Sequence, residues 1–421
     1  MTLSLSERDQ DMLHTQFGEA TQLAMRIVTR MAEVANATEL IDITAAHIDS
    51  TVYIGDAGLE FAERLASLGA KVAVPTTLNV SGLDEQHWQN WAVPPDWAKQ
   101  AHRQMVAYQS MGAKPTWTCA PYQTEERPTL GQQIAWGESS AIVFANSVLG
   151  ARTERYPDLF DICCAITGRA PNIGLHRPEN RVGQILLNVR AIEERVQLGD
   201  EFYPVLGHLM GQLAADRIPV VDGICVIPSE DQLKALGAGA ASSGAVALFH
   251  IVGVTPEAPD YKTAFQGQKP QEKIEITLDM LRRAREELTR AESDKLDMVV
   301  LGSPHFSLAE FKKLARLVKD KHKHPDVQFL VTSSRAVAQL AEQAGHLAAI
   351  QAFGARITLD TCILTTPMLP PEIQSLMTNS AKFAYYTPGL LERQITFGSL
   401  KDCVQSAIEG RVLRDESLWH S

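Results

Sequence analysis

From Lys295 to Cys403 the chain alternates short apolar runs with amphipathic ones, and each apolar run stops at a polar turn. Asp297 to Leu301 gives way to Gly302-Ser-Pro-His305, and Ser307 then opens the amphipathic run Leu308 to Val318. Val327 to Val331 stops at Thr332-Ser-Ser334 and is followed by a helical run from Arg335 to Ala344. Arg356 to Leu359 stops at Asp360-Thr-Cys362, and Ala381 to Tyr386 reads as a fourth strand entered through Asn379 and Ser380. Strands alternating with helices of roughly ten or more residues build parallel βαβ units. In open α/β sheets the ligand lies beyond the carboxyl ends of the strands. Those ends carry Ser303, His305, Ser333, Ser334, Asp360 and Cys362, a pattern that builds a site rather than a core.

The 421 residues are enough for two or three domains at roughly 100 to 200 residues each. We expect an N-terminal α/β lobe with a polar site loop over 1–215 and a C-terminal lobe of βα repeats over 216–421. Lys plus Arg number 39 against 50 Asp plus Glu, a net charge of -11. Scattered acidity without a basic block argues against nucleic acid or an anionic membrane as partner. No run approaches the roughly 18 apolar residues of a membrane span, and Met1 to Met12 is too polar for a signal peptide. The expected compartment is the cytoplasm, where six cysteines are thiols rather than disulfides.

Ahead of the repeat, Ser4 to Val34 is helical after the capping-type sequence Ser6 to Asp9. Glu39 to Ile43 and Lys71 to Val74 read as strands, with Leu59 to Leu68 a helix between them. Pro94 to Gln109 and Phe202 to Ala214 are helical, and Ile218 to Gly223 and Val246 to Val252 are strands. Pro115 to Gly168 is long, loop-like and rich in hydroxyl, amide and glycine. Such loops are uncommon unless functional, so it belongs against the site. Gly237 to Gly244, all Gly, Ala and Ser, suits a phosphate-cradling turn or a close-packed backbone.

Among residues able to carry chemistry, Cys119, Cys362 and Cys403 lie in or beside polar turns, whereas Cys163, Cys164 and Cys225 sit in apolar runs and read as core. Thiols of the first kind can hold an iron-sulfur cluster or serve as small buried hydrophobes. His250 and His305 each end a strand, where an imidazole can act as acid or base near neutral pH or serve as a hydrogen-bonded structural group. His47 with Asp49 is similar. Glu138, in Gly-Glu-Ser-Ser140, suits a general base, a cation's partner or a helix-start acid. Lys382 suits a carboxylate or phosphate contact or a solvated position, and Arg152 and Arg169 lie in glycine-containing turns where a guanidinium can clamp an oxyanion.

Several stretches taken together resemble the aconitase X family, large-subunit type. They are His47-Ile-Asp-Ser50, Gly55 to Leu59, Val74 to Asn79, Cys119-Ala-Pro-Tyr122, Gly137 to Ser140, Ala145 to Arg152, Thr167-Gly-Arg169, Phe249-His250 with Gly253 to Ala258, Gly302 to His305, Asp360-Thr-Cys362, Asn379-Ser-Ala-Lys382 and Asp402-Cys403. The resemblance implies an aconitase-like, multi-lobed α/β/α fold of mainly parallel βα units. It implies an iron-sulfur hydro-lyase that removes water from a small hydroxy acid, with Cys119, Cys362 and Cys403 as cluster ligands. It places Glu138, His250, His305 and Lys382 in catalysis, and Gly55, Asp56, Thr76, Thr77, Ser139, Asn146, Ser147 and Ser303 in the substrate pocket. Many relatives carry Cys at the position of Ser303, so the fourth ligand and the choice among 2Fe-2S, 3Fe-4S and 4Fe-4S stay open. The small swivelling domain of such enzymes has no counterpart here, which implies a small partner subunit. Of the family's substrates, cis-3-hydroxy-L-proline is the expectation and (R)-mevalonate 5-phosphate the alternative. A non-catalytic α/β protein that binds a small molecule is the reading from a different class.

Overall fold

The computed structural model describes residues 3–420, and the strands among them form sheets of two, three, four and five. The five-stranded sheet runs Arg356–Leu359, Gln328–Ser333, Met298–Leu301, Ser375–Thr378, Gln394–Phe397, every neighbour parallel. Parallel sheets are covered on both faces and so are apolar throughout. Accordingly, Met298 to Leu301 is buried at all four positions. The helix Leu308–Val318 turns Phe311, Leu314, Ala315 and Val318 inward, and its start is fixed by a capping box between Ser307 and Glu310.

The fourth strand differs from the expectation. Ala381–Leu390 is a helix, and the strand is Ser375–Thr378 before it. Ser380 does not lead into a strand: its hydroxyl accepts from Phe383 N at 3.1 Å and caps the helix. That cap sets Lys382 in the helix's first turn.

A three-stranded parallel sheet orders Thr76–Leu78, Ala46–Ile48 and Ala135–Trp136. Lys71 to Val74 is not part of it, because Val72 N and Ala73 N donate to the Met111 and Ala165 carbonyls in other segments. Leu40–Asp42 pairs antiparallel with Arg169–Pro171. The initial helical run splits at Gly18 into Glu7–Leu13 and Glu19–Val34.

The four-stranded parallel sheet comprises His250–Ile251, Pro219–Asp222, Ile185–Asn188 and Glu272–Glu275. Ile185 pairs with Pro219, so this sheet straddles the division expected at 215/216. One apolar core joins Met25, Leu206, Leu236, Met298 and Phe397 across both halves.

Gly237 to Gly244 is not a turn. It is the second half of the helix Glu230–Ser243 and its cap, packed on Phe202–Ala214. A Cβ on Gly207 would lie 2.2 Å from the Leu236 carbonyl oxygen. The small residues therefore serve close packing of two helices. Cys163 and Cys164 are buried as expected, but Cys225 is exposed in the loop after Pro219–Asp222. Among the described residues no helix is long and apolar enough to cross a membrane.

Candidate active site

The three- and five-stranded sheets aim their carboxyl ends at one cavity of about 540 Å³. From the first come Asp49 after Ile48, Asn79 after Leu78, and Glu138 after Trp136. The second contributes Gly302, Ser303 and His305 after Leu301, and Cys362 beyond Leu359, with Lys382 from the capped helix. Cys119 and Asp158 enter from the long polar segment, which thus lies against the site as expected. Gly55 lines the mouth. Gly302 is needed for the approach: its φ is +97°, and a Cβ there would sit 2.2 Å from the Thr332 carbonyl oxygen.

On the floor of the cavity, Lys382 Nζ meets Glu138 Oε1 at 2.5 Å and Ser140 Oγ at 2.9 Å. Glu138 also caps the following helix, its Oε2 accepting from Ala141 N at 2.6 Å. Burial alone would raise the Glu138 pKa, but Lys382 and the backbone N–H groups outweigh it and hold the carboxyl below its ordinary value. Burial opposes the charge on Lys382, and Glu138 more than offsets that, keeping the ammonium protonated.

Asp49 is the opposite case. Burial, together with Glu138, Asp158 and Asp161, lifts its pKa well above the usual carboxylate range, while Asn79 Nδ2 donates to its Oδ1. Asp161 accepts from Asp49 N at 2.6 Å, and burial pushes its own pKa up to about 7. Gly137 lets these groups meet, since a Cβ there would fall 2.5 Å from Asp161 Oδ2 and 2.7 Å from Asp49 Cβ. The site therefore sets an ionised carboxylate and an ammonium beside a carboxyl that holds its proton more tightly than usual.

Cys119 and Cys362 face the same cavity. Burial raises both thiols, Cys119 to about 12, against the pull of Lys382. The His305 N–H points at Cys119 Sγ, 3.2 Å away. Two soft sulfur donors with a backbone donor on one of them fit the anchoring of an iron-sulfur cluster, and Ser303 lines the same cavity. The three-cysteine set does not fit. Cys403 is buried in the helix Leu400–Glu409 against Val299, Leu301 and Phe311, because the Ser399–Asp402 capping box turns it to the inner face. Among the described residues no group of three or more His, Cys, Asp or Glu converges as a metal site.

Other expected residues stand elsewhere. His250 is buried in the four-stranded sheet, which sends no residue to the cavity, and its Nε2 lies 2.8 Å from the Arg181 carbonyl. Asn146 is committed to Thr153, Ala247 and the buried Arg181 guanidinium, and Ser147 accepts from Phe249 N. Both join the polar segment to that sheet. Asp56 accepts from the Tyr53 hydroxyl, Thr76 donates to the Val74 carbonyl, and Thr77 binds His47 Nδ1. Ser139 flanks Glu138, but Ser140 is the serine that touches Lys382. His305 lines the cavity wall with both ring nitrogens engaged, at Thr118 Oγ1 (3.2 Å) and the Thr361 carbonyl (2.9 Å), so it presents no free nitrogen for proton transfer. Asn79 and Ser140 are not among the expected site residues and Asp49 stands there only beside His47, although each follows a strand as Glu138 does.

Residues 2–179, 183–286 and 296–409 match the aconitase X first, second and third domains. The chain is 49% identical over 416 residues to a cis-3-hydroxy-L-proline dehydratase of Pseudomonas aeruginosa, a match covering 98% of this chain and 71% of that protein. It is 37% identical over 390 residues to a phosphomevalonate dehydratase large subunit of Methanothermobacter thermautotrophicus, covering 92% of this chain and 94% of that one. The crystal structure of Thermococcus kodakaraensis aconitase X in its holo-form aligns with a TM-score of 0.86 at 32% identity, covering 96% of this chain and all of that one.

Proposed function

Because the chain belongs to the aconitase X family, we propose that it is the larger part of a cytoplasmic iron-sulfur dehydratase acting on cis-3-hydroxy-L-proline. The observation that carries the substrate choice is the charge of the cavity. Its lining includes one cation, Lys382, against the carboxyls of Asp49, Glu138 and Asp158, and no arginine. A zwitterion with one carboxylate and one ring ammonium suits that balance. A substrate bearing both phosphate and carboxylate would bring about three negative charges to a wall already acidic. The higher identity to the hydroxyproline enzyme points the same way.

The reaction removes a proton from the carbon beside the carboxylate and hydroxide from its neighbour, leaving a double bond and one water. Lys382 holds the substrate carboxylate and stabilises the charge that develops on it. Glu138, ionised beside Lys382, is placed to take the proton. Asp49, whose carboxyl holds its proton more tightly through burial and neighbouring carboxylates, gives one to the departing hydroxyl. Cys119 and Cys362 would hold the cluster, which supplies Lewis acidity when bound. Six free cysteines agree with a reducing compartment.

We also infer a smaller partner domain or subunit. The Methanothermobacter relative is named a large subunit, and the Pseudomonas relative extends beyond the matched length. The test is turnover by the anaerobically purified chain with and without the small subunit, on both substrates, with iron and sulfide measured on the same sample. We expect dehydration of hydroxyproline by the mixture alone. Turnover of only the phosphorylated substrate overturns the substrate assignment, and ligand binding without iron or turnover supports a binding protein instead.

A further inference from the structure

His305 stands between the two cysteine loops. Its ring meets Thr118 on one side and the Thr361 carbonyl on the other, and these residues immediately precede Cys119 and Cys362. A carbonyl only accepts, so Nε2 carries the ring proton; Nδ1 then accepts from the Thr118 hydroxyl, whose oxygen meanwhile accepts from Ala120 N at 3.1 Å. One neutral tautomer satisfies every contact. The backbone of the same residue adds two more: its N–H donates to Cys119 Sγ, and its carbonyl accepts from Lys234 Nζ at 3.2 Å.

Lys234 belongs to the helix Glu230–Ser243, outside the active cavity, and is 4% exposed. Asp231 at 3.3 Å and Glu310 hold its ammonium, and Glu310 is the capping-box residue that starts the helix Leu308–Val318. Gly302 and Ser303 line the active cavity on one side and a cavity of about 40 Å³ that includes Lys234 on the other. The turn from Gly302 to His305 is therefore a thin wall, braced from behind by a buried lysine and spanning both cysteine loops in front. Without Lys234, Asp231 and Glu310 would be left unpaired behind that wall and the His305 carbonyl would lose its donor.

We infer that His305 and Lys234 are positioning residues that fix the separation of the Cys119 and Cys362 thiols, an assignment resting on the reading of those thiols as the cluster's anchors. The test uses the full chain as wild type, Lys234→Met, Lys234→Arg and Thr118→Val. Phenylarsine oxide, which bridges paired thiols, is titrated into metal-free reduced protein, and the bridged cysteines are mapped by peptide mass spectrometry. The same samples are then reconstituted with iron and sulfide and their visible circular dichroism recorded. Wild type bridges Cys119 to Cys362. Lys234→Met and Thr118→Val, folded by far-ultraviolet dichroism, bridge about 10- to 100-fold more weakly, the range seen when partners behind metal ligands are removed, and their cluster spectrum shifts. Lys234→Arg keeps a donor at the His305 carbonyl and retains most of the affinity. A folded Lys234→Met that bridges like wild type overturns the inference, as does Lys234→Arg failing as badly as Lys234→Met. Should Lys234→Met not fold, an unchanged Thr118→Val overturns it and a weakened one supports it. A wild type that bridges neither thiol overturns the anchor reading itself, and this inference with it.

Discussion

A lysine ammonium taken out of water without a counter-charge costs several kcal/mol, and Lys382 avoids this through its 2.5 Å contact with Glu138. Removing either partner leaves the other charged and buried. Lys382→Met and Glu138→Gln should each destabilise the fold by about 3–5 kcal/mol, while the double variant recovers most of that loss and remains inactive. Urea denaturation of the four proteins checks this, and single variants as stable as wild type would show that the pair does not form. Asp161 gives a pH dependence of defined sign. Its carboxyl is raised to about 7 from an ordinary 3.8, chiefly by burial, so between those values the folded chain binds more protons than the unfolded one. Stability then falls as pH rises through that window, by up to about 1.4 kcal/mol per pH unit. The advantage of wild type over Asp161→Asn should shrink between about pH 4.5 and about pH 8; a flat difference in urea midpoints would remove the shift. At this scale the sequence was only partly legible. Glu138, Lys382, Ser303, Cys119 and Cys362 stand in turns and loops beyond strand ends or at helix starts. Asn146, Ser147 and His250 have the same local appearance, yet Asn146 and His250 serve Arg181 and Ser147 serves Phe249 N, partners that lie far from them in sequence. Cys403 follows a cap whose geometry turns it inward.

Elements that came out of the sequence correctly were those whose period is imposed by burial on both faces, above all Met298–Leu301 with its following helix. The misplaced ones were decided by single side chains. Ser380 reads as strand entry until its hydroxyl is seen to cap a helix, and a Gly-Ala-Ser run reads as a turn until its partner helix is in place. The glycines at these contacts separate stability from function. Gly207→Ala puts a methyl against the Leu236 carbonyl and should cost about 1–3 kcal/mol, with the KM of the folded enzyme unchanged. Gly137→Ala should cost a similar amount and also depress kcat, because its methyl displaces Asp49 and Asp161. Thermal melts with steady-state kinetics distinguish them, and equal kinetic effects from both would detach Gly137 from the chemistry.

For the whole molecule, the α/β class and the location of the site at parallel strand ends followed from the alternation of apolar runs and polar turns. That two separate sheets share one cavity did not, because the three-stranded sheet uses strands of two or three residues, too short to announce themselves by period. The cavity is closed on its floor by residues that meet late. Glu138 and Lys382 lie 244 residues apart, and at about 5–20 residues per second a ribosome takes roughly 12–50 s to add the second after the first. For most of that interval Cys119 lacks its neighbouring wall at Gly302 to His305, and for all of it the ammonium of Lys382. On the proposed reading of Cys119 and Cys362 as cluster anchors, loading of iron and sulfide follows synthesis of both, and an oxidant reaching Cys119 on a nascent chain would leave its mark on a protein that never matures.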